Sequence, residues 1–217
     1  MKLRSLHKCG STYQYIVSER VNGMNRKPII DFSRVHRDVE GWEDDLDGSV
    51  LIVRHPINRL ISMYYSFGWT HIHDDPTTHQ VKQRARIKSM PMQEWVMQSL
   101  RLERQFLNEL FNLNIELIKY EDIMDEPKRY LEFVLNRVDR LHFLDKLYKA
   151  LDEKGHFTHD GGDKSDEIVN DGLITHRRNL DHNEWKLKFN GSERIQINEL
   201  MKDTLERYEA IDEIPNR

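Results

Sequence analysis

The chain's sharpest hydrophobic signal is the run "SVLIV" at residues 49–53, set behind Asp47-Gly48 and followed at once by Arg54. A short apolar run without alternation describes a strand covered on both faces, the habit of a central strand in a parallel sheet. Directly after it, "PINRLISMYYSF" opens on a proline suited to a first helical turn and carries Leu60, Ile61, Tyr64 and Tyr65 at helical spacing. The same sequence of events occurs at the start of the chain. "KLRSL" alternates weakly as a short, polar strand, and "STYQYIVSERV" places Tyr13, Ile16, Val17 and Val21 on one helical face, with Ser11 suited to the cap. That first strand is unusually short and polar, which suggests either a frayed sheet edge or a shortened N-terminus.

Between these units, "KPIIDFSRVH" reads as a further strand; later come a long amphipathic helix, "MQEWVMQSLRLERQFLNELFNL", a strand, "IELIKY", and a helix begun by proline, "EPKRYLEFVLNRV". In the long helix Trp95, Met97, Leu100, Phe106 and Leu107 recur at core spacing. "GWTHIHDDPTTHQVKQRARIKS" has no clean period and reads as an irregular excursion or a short helix, and residues 155–175 as a long surface loop rich in Gly and Asp. The closing "SERIQINELMKDTLERYEAI" is amphipathic, with Ser192 and Glu193 at a helix start. Strands alternating with helices imply an α/β fold with a parallel sheet, and 217 residues suit a single domain over 1–217.

Charge changes this picture little: 33 Lys plus Arg against 37 Asp plus Glu leave a net charge of -4, so no global field favours nucleic acid and an anion must find a local site. One cysteine, Cys9, excludes an internal disulfide, and no run approaches a membrane span. With no apolar leader in "MKLRSLHK", a cytoplasmic setting is expected, although a chain trimmed of a targeting segment would read the same.

The candidate chemistry sits at the two strand-to-helix turns. In "LHKCGSTY" a helix N-terminus offers main-chain N–H groups, Gly10 permits close approach, Ser11 and Thr12 add hydroxyls, and Lys8 adds a charge. Lys8 precedes the glycine, whereas the P-loop of ATP and GTP enzymes places its lysine after the last glycine. Arg54 stands where open α/β sheets set their ligand crevice, and Ser62 follows two turns into the next helix.

These residues resemble the sulfotransferase family. "HKCGSTY" is similar to its 5'-phosphosulfate loop, P-K-x-G-T-T-W. "VRHPINRLISMYYSF" is similar to its 3'-phosphate segment, in which a serine follows an arginine by eight positions, and "IKYEDI" resembles its Y-E-D strand end. The resemblance, closest to the carbohydrate-modifying branches, implies a P-loop-like parallel sheet flanked by helices. It implies 3'-phosphoadenosine 5'-phosphosulfate (PAPS) as sulfuryl donor and adenosine 3',5'-bisphosphate (PAP) as product, with no metal required and a hydroxyl, expected on a carbohydrate, as acceptor. It assigns Lys8 to the bridging oxygen, the loop Cys9, Gly10, Ser11 and Thr12 to the 5'-phosphate, Tyr13 to the adenine face, Tyr120 to the base's surroundings, and Arg54 and Ser62 to the 3'-phosphate. The family's R-K-G-x-x-G-D-W is reduced here to "RNLDHNEW", which keeps Arg178 and Trp185; Arg178 or Arg177 is the expected remnant.

An acceptor hydroxyl needs a base, and His36, ending the second strand, is the candidate because an imidazole takes a proton near neutrality; Asp31 and Glu40 are the carboxylate alternatives. His71, His73, Asp74 and Asp75 match no standard zinc spacing. Two other readings stay open: a nucleotide or small-molecule kinase of related fold, and a nucleotide-binding module without chemistry.

Overall fold

The computed structural model describes residues 1–35, 42–70, 77–152 and 183–214. Four strands, β1 (Lys2–Leu6), β2 (Asp31–Val35), β3 (Ser49–Val53) and β4 (Glu116–Lys119), form one parallel sheet in the order β2-β1-β3-β4. Helices flank it: α1 (Ser11–Gly23), α2 (Pro56–Tyr65), α3 (Thr78–Lys88), α4 (Met92–Phe111), α5 (Tyr120–Asp125), α6 (Pro127–Arg137), α7 (Leu144–Asp152), α8 (Glu184–Lys188) and α9 (Gly191–Glu209). This is the P-loop-like α/β arrangement expected.

β3 is buried along its whole length, as its unbroken apolar run requires. β1 overturns an expectation: it is the inner neighbour of both β2 and β3, not a frayed edge. Its polarity is absorbed inside the sheet. The guanidinium of Arg4, 2% exposed, donates from Nη1 to the Asp31 carbonyl at 2.7 Å and from Nη2 to Asp31 Oδ2 at 2.8 Å, while Ser5 Oγ donates to the Cys9 carbonyl at 3.1 Å. Buried polar groups are tolerable when bonded in this way.

Two apolar clusters share α4. Its Phe106, Leu107 and Leu110 join the core around the sheet, and its Met92, Val96 and Leu100 join a second cluster with Ile57, Leu60 and Ile61 of α2 and Ile197 and Met201 of α9. Trp95 and Met97 pack partly buried against that second cluster. α9 lies alongside α4 in the same direction, pinned by Thr204 Oγ1 donating to Asn108 Oδ1 at 3.0 Å and Arg207 Nη2 donating to Asn112 Oδ1 at 3.0 Å.

Helix ends refine the sequence reading. α1 is capped by Gly10 in the left-handed region, φ 73°, with Ser11 its first residue. α9 starts from Asn190, whose side chain accepts from Glu193 N–H while Glu193 accepts from Asn190 N–H, a reciprocal box whose cap lies two residues ahead of the expected Ser192. The aperiodic stretch after α2 includes α3, capped reciprocally by Thr77 and Gln80. No helix among the described residues is long and apolar enough to cross a membrane.

Candidate functional site

The loop from β1 into α1 turns on two left-handed residues, Lys8 at φ 67° and Gly10 at φ 73°. Left-handed backbone is costly for a lysine and natural for a glycine, so the loop holds Lys8 in a conformation that an unconstrained chain avoids. Within the turn, Cys9 N–H donates to the Leu6 carbonyl at 3.1 Å; Gln14 N–H, the first helical bond, donates to the Gly10 carbonyl at 3.0 Å. The N–H groups of Ser11, Thr12 and Tyr13 precede that bond, in the first turn, where the helix dipole is positive.

Arg54 reaches the same loop. Its Nη1 approaches the Lys8 carbonyl at 3.5 Å, its guanidinium lies 5.2 Å above the Tyr120 ring centroid, and its Nε is 4.0 Å from Glu121 Oε1. Tyr120 in turn fills the space beside Gly10. The structure therefore brings Lys8, Gly10, Arg54 and Tyr120 together at the carboxyl ends of β1, β3 and β4.

Gly10 has a second reason to be glycine: a Cβ there would stand 2.4 Å from Cε2 and 2.7 Å from Cδ2 of Tyr120. Tyr120 is 7% exposed and braced by Arg54, so it cannot swing clear cheaply. Gly10→Ala is expected to cost about 1–3 kcal/mol in urea unfolding, from overpacking added to left-handed strain; a cost near zero would mean that the ring yields.

Glu121 organises the crevice from behind. Buried to 2% exposure, it accepts from His55 N–H at 3.0 Å and from the Tyr208 hydroxyl of α9 at 2.5 Å, besides facing Arg54. His55 stacks on Trp185 at 6.0 Å between ring centroids and meets Tyr208 edge-on at 5.6 Å. Trp185 thus packs against the residue next to Arg54. A buried bidentate pair, Arg59 with Glu103, ties α2 to α4, and Arg59 Nη1 also reaches the His7 carbonyl of the loop at 3.4 Å.

Electrostatics follow from this crowding. Burial first, then the Arg34 and Arg54 guanidinium groups, brings the Lys8 ammonium down to about 8. Burial pushes the Cys9 thiol up to about 12, against the pull of Arg59 and Arg54.

Several expected roles need correction. Cys9 is fully buried, so its side chain belongs to the core and only its main chain lines the loop. Tyr13 is 2% exposed and tilted against Tyr130 at 6.2 Å, inside the core and not on an adenine face. Asp31 lies at the wrong end of β2: it pairs in register with Lys2 and is held by Arg4, about 13 Å along the strand from the edge where Lys8 sits. It is no acceptor base for this crevice. Ser62 is half-buried in the last turn of α2, with no hydrogen bond to Lys8 or Arg54. His36, Glu40, Arg177 and Arg178 lie outside the described residues, as do His71, His73, Asp74 and Asp75, and the side chain of Thr12 is likewise undescribed. Among the described residues no cluster of His, Cys, Asp and Glu could hold a metal ion.

The sequence reading passed over Arg34 and Glu121. Arg34 sits at the carboxyl end of "IIDFSRV", where the same rule that singles out Arg54 applies, and Glu121 lies inside the Y-E-D motif with no role given to it.

No protein-family model matches the chain, and no curated protein matches its sequence. Among solved structures, mouse sulfotransferase SULT7A1 complexed with PAP is similar, with TM-score 0.49 and 13% identity over 96% of this chain and 87% of that one.

Proposed function

We propose that the chain is a sulfotransferase that takes a sulfuryl group from PAPS and passes it to an acceptor hydroxyl, with a carbohydrate as the acceptor class. The observation that carries this reading is the meeting of the Lys8 loop and Arg54 in one crevice, with Arg54 Nη1 3.5 Å from the Lys8 carbonyl. Two strand ends far apart in sequence each contribute a cation to one place, which suits a ligand with an anionic group at each end.

In this reading the helix N-terminus and Ser11 hold the 5'-phosphate, and Arg54, with Ser62 and with Arg177 or Arg178, takes the 3'-phosphate. Tyr120 supports Arg54 from below. The acceptor oxygen bonds to sulfur as the bond from sulfur to the bridging oxygen breaks, and that oxygen leaves on PAP with the electron pair. The acceptor proton passes to a base, for which His36 is the first choice and Glu40 the second. Lys8 stabilises charge growing on the bridging oxygen, in a position set before the reaction begins. The order of lysine and glycine in the loop disfavours a kinase.

Calorimetry with PAP tests the donor site. Binding is expected in the micromolar range, about tenfold or more weaker in Arg54→Ala, and stronger than binding of ATP. ATP preferred over PAP, or unchanged binding in Arg54→Ala, would overturn the reading.

The pH dependence carries its own sign. Lys8 starts near 8 in the free protein, and a bound anion favours its charged form and raises that value. Binding therefore takes up a proton once the free amine begins to lose it. PAP affinity should be level from pH 7 to 7.5 and fall above pH 8, by at most about tenfold per unit. The fall should vanish in Lys8→Met, measured by the same titration between pH 7 and 9.

A further inference from the structure

Behind Arg54 stand two buried groups that the donor reading leaves without a role, Glu121 and Tyr208. Arg54 Nε is buried, and among the described residues the carboxylate that faces it is that of Glu121, with Oε1 at 4.0 Å. Tyr120 lies against the flat face of the guanidinium, and the Lys8 carbonyl is 3.5 Å from Nη1, so among the described residues Nη2 makes no hydrogen bond. Glu121 is itself fixed by two donors. Its Oε1 accepts from His55 N–H at 3.0 Å, and its Oε2 accepts from the Tyr208 hydroxyl at 2.5 Å. A carboxylate is planar, so holding Oε2 on the Tyr208 side sets the direction from which Oε1 faces Arg54.

Tyr208 comes from the last turn of α9, 87 residues beyond Glu121, and its own place is set without Arg54. It is 1% exposed, meets the His55 ring edge-on at 5.6 Å, and has the Lys119 ammonium 5.7 Å from its ring centroid. Lys119 Nζ also donates to the Glu209 carbonyl at 3.1 Å, which fastens the end of α9 to the carboxyl end of β4. Burial first, then the Glu121 carboxylate, pushes the Tyr208 phenol well above its ordinary value. The proton therefore stays on the tyrosine, and its hydroxyl is the donor. The ring fills space in the core, whereas the hydroxyl's hydrogen bond goes to Glu121.

We propose that Tyr208 is a positioning residue for the donor's 3'-phosphate: acting through Glu121, it aims the Arg54 guanidinium at that group. This rests on the sulfotransferase reading and deepens it by extending the donor site to the end of α9. Without the hydroxyl, the Glu121 carboxylate is free to turn about its last bond, a soft torsion. Arg54 then loses an orientation that was set before the ligand arrived, and the ligand must supply it on binding. Tyr208 touches neither donor nor acceptor, so its contribution belongs to that part of the affinity which the 3'-phosphate provides.

The test compares PAP with adenosine 5'-monophosphate, which lacks the 3'-phosphate, by calorimetry on the wild type, Tyr208→Phe, Arg54→Ala and the double variant. The wild type is expected to prefer PAP by about tenfold or more. Tyr208→Phe keeps the ring and removes one hydroxyl; it should lower that preference at least about threefold and leave affinity for the monophosphate within about twofold. In the Arg54→Ala background the same change should leave the preference as it is, because the group it aims is gone. Glu121→Gln keeps the shape of its side chain, loses the charge and should lower the preference as Tyr208→Phe does, which preserves the comparison if Tyr208→Phe folds poorly. A preference that survives intact in either single variant overturns the proposal. So does an equal loss of both ligands, the mark of a purely structural role, and so does a loss in the double variant equal to the sum of the single ones. No preference for PAP in the wild type would overturn the donor reading itself and the proposal with it, a result read before any variant is made.

Discussion

Lys8→Ala is expected to slow sulfuryl transfer by roughly 100–1000-fold while leaving the chain folded. The lysine is half-buried between two guanidinium groups, so its ammonium acts where water screens it poorly. Its backbone is already left-handed at φ 67°, and alanine meets the same strain there, so the substitution removes the charge without adding backbone cost. Losing a neighbouring cation even relieves repulsion on Arg34 and Arg54. Single-turnover transfer from radiolabelled donor, read beside a thermal melt, separates the two effects. A rate loss below about tenfold with an unchanged melt would show that the leaving oxygen is stabilised elsewhere.

The largest stability effect is expected at Glu103. Arg59 is 5% exposed and pairs with both oxygens of Glu103, so Glu103→Ala strands a buried cation, at a cost of about 3–5 kcal/mol in urea unfolding. Replacing both residues with methionine removes the charge together with its partner and should restore much of that loss. Arg59 also reaches the His7 carbonyl, so the single variant should weaken PAP binding by loosening the loop, beyond its effect on stability. A cost under about 1 kcal/mol would mean that water reaches Arg59.

How far the chain could be read without its coordinates depends on whether the decisive interactions are local. β3, α2 and α4 were legible because burial on one stripe, or on both faces, writes its own period into consecutive residues. β1 was misread as an edge for a physical reason: Arg4 and Ser5 look like solvent residues until Asp31 and the Cys9 carbonyl, far from or just beyond the strand, are seen to satisfy them. The same distance hid Arg59 and Glu103, each an ordinary charged residue on an amphipathic helix until the two helices pack together. At the crevice, Lys8 and Arg54 were legible from position, since both follow a strand. Tyr13 and Cys9 were not, because facing the core or the ligand is decided by what lies across the loop, here the buried packing around Tyr130.

The amino-acid order alone determined that strand-loop-helix units exist and that basic residues stand at two of the turns, since periodicity, glycine and proline act over a few neighbouring residues. Only the tertiary structure decided that β1 lies between β2 and β3, because strand order is set by how helices pack back across the sheet. That order puts Arg34 and Arg54 on opposite flanks of Lys8 and makes a two-sided crevice from residues that are far apart along the chain.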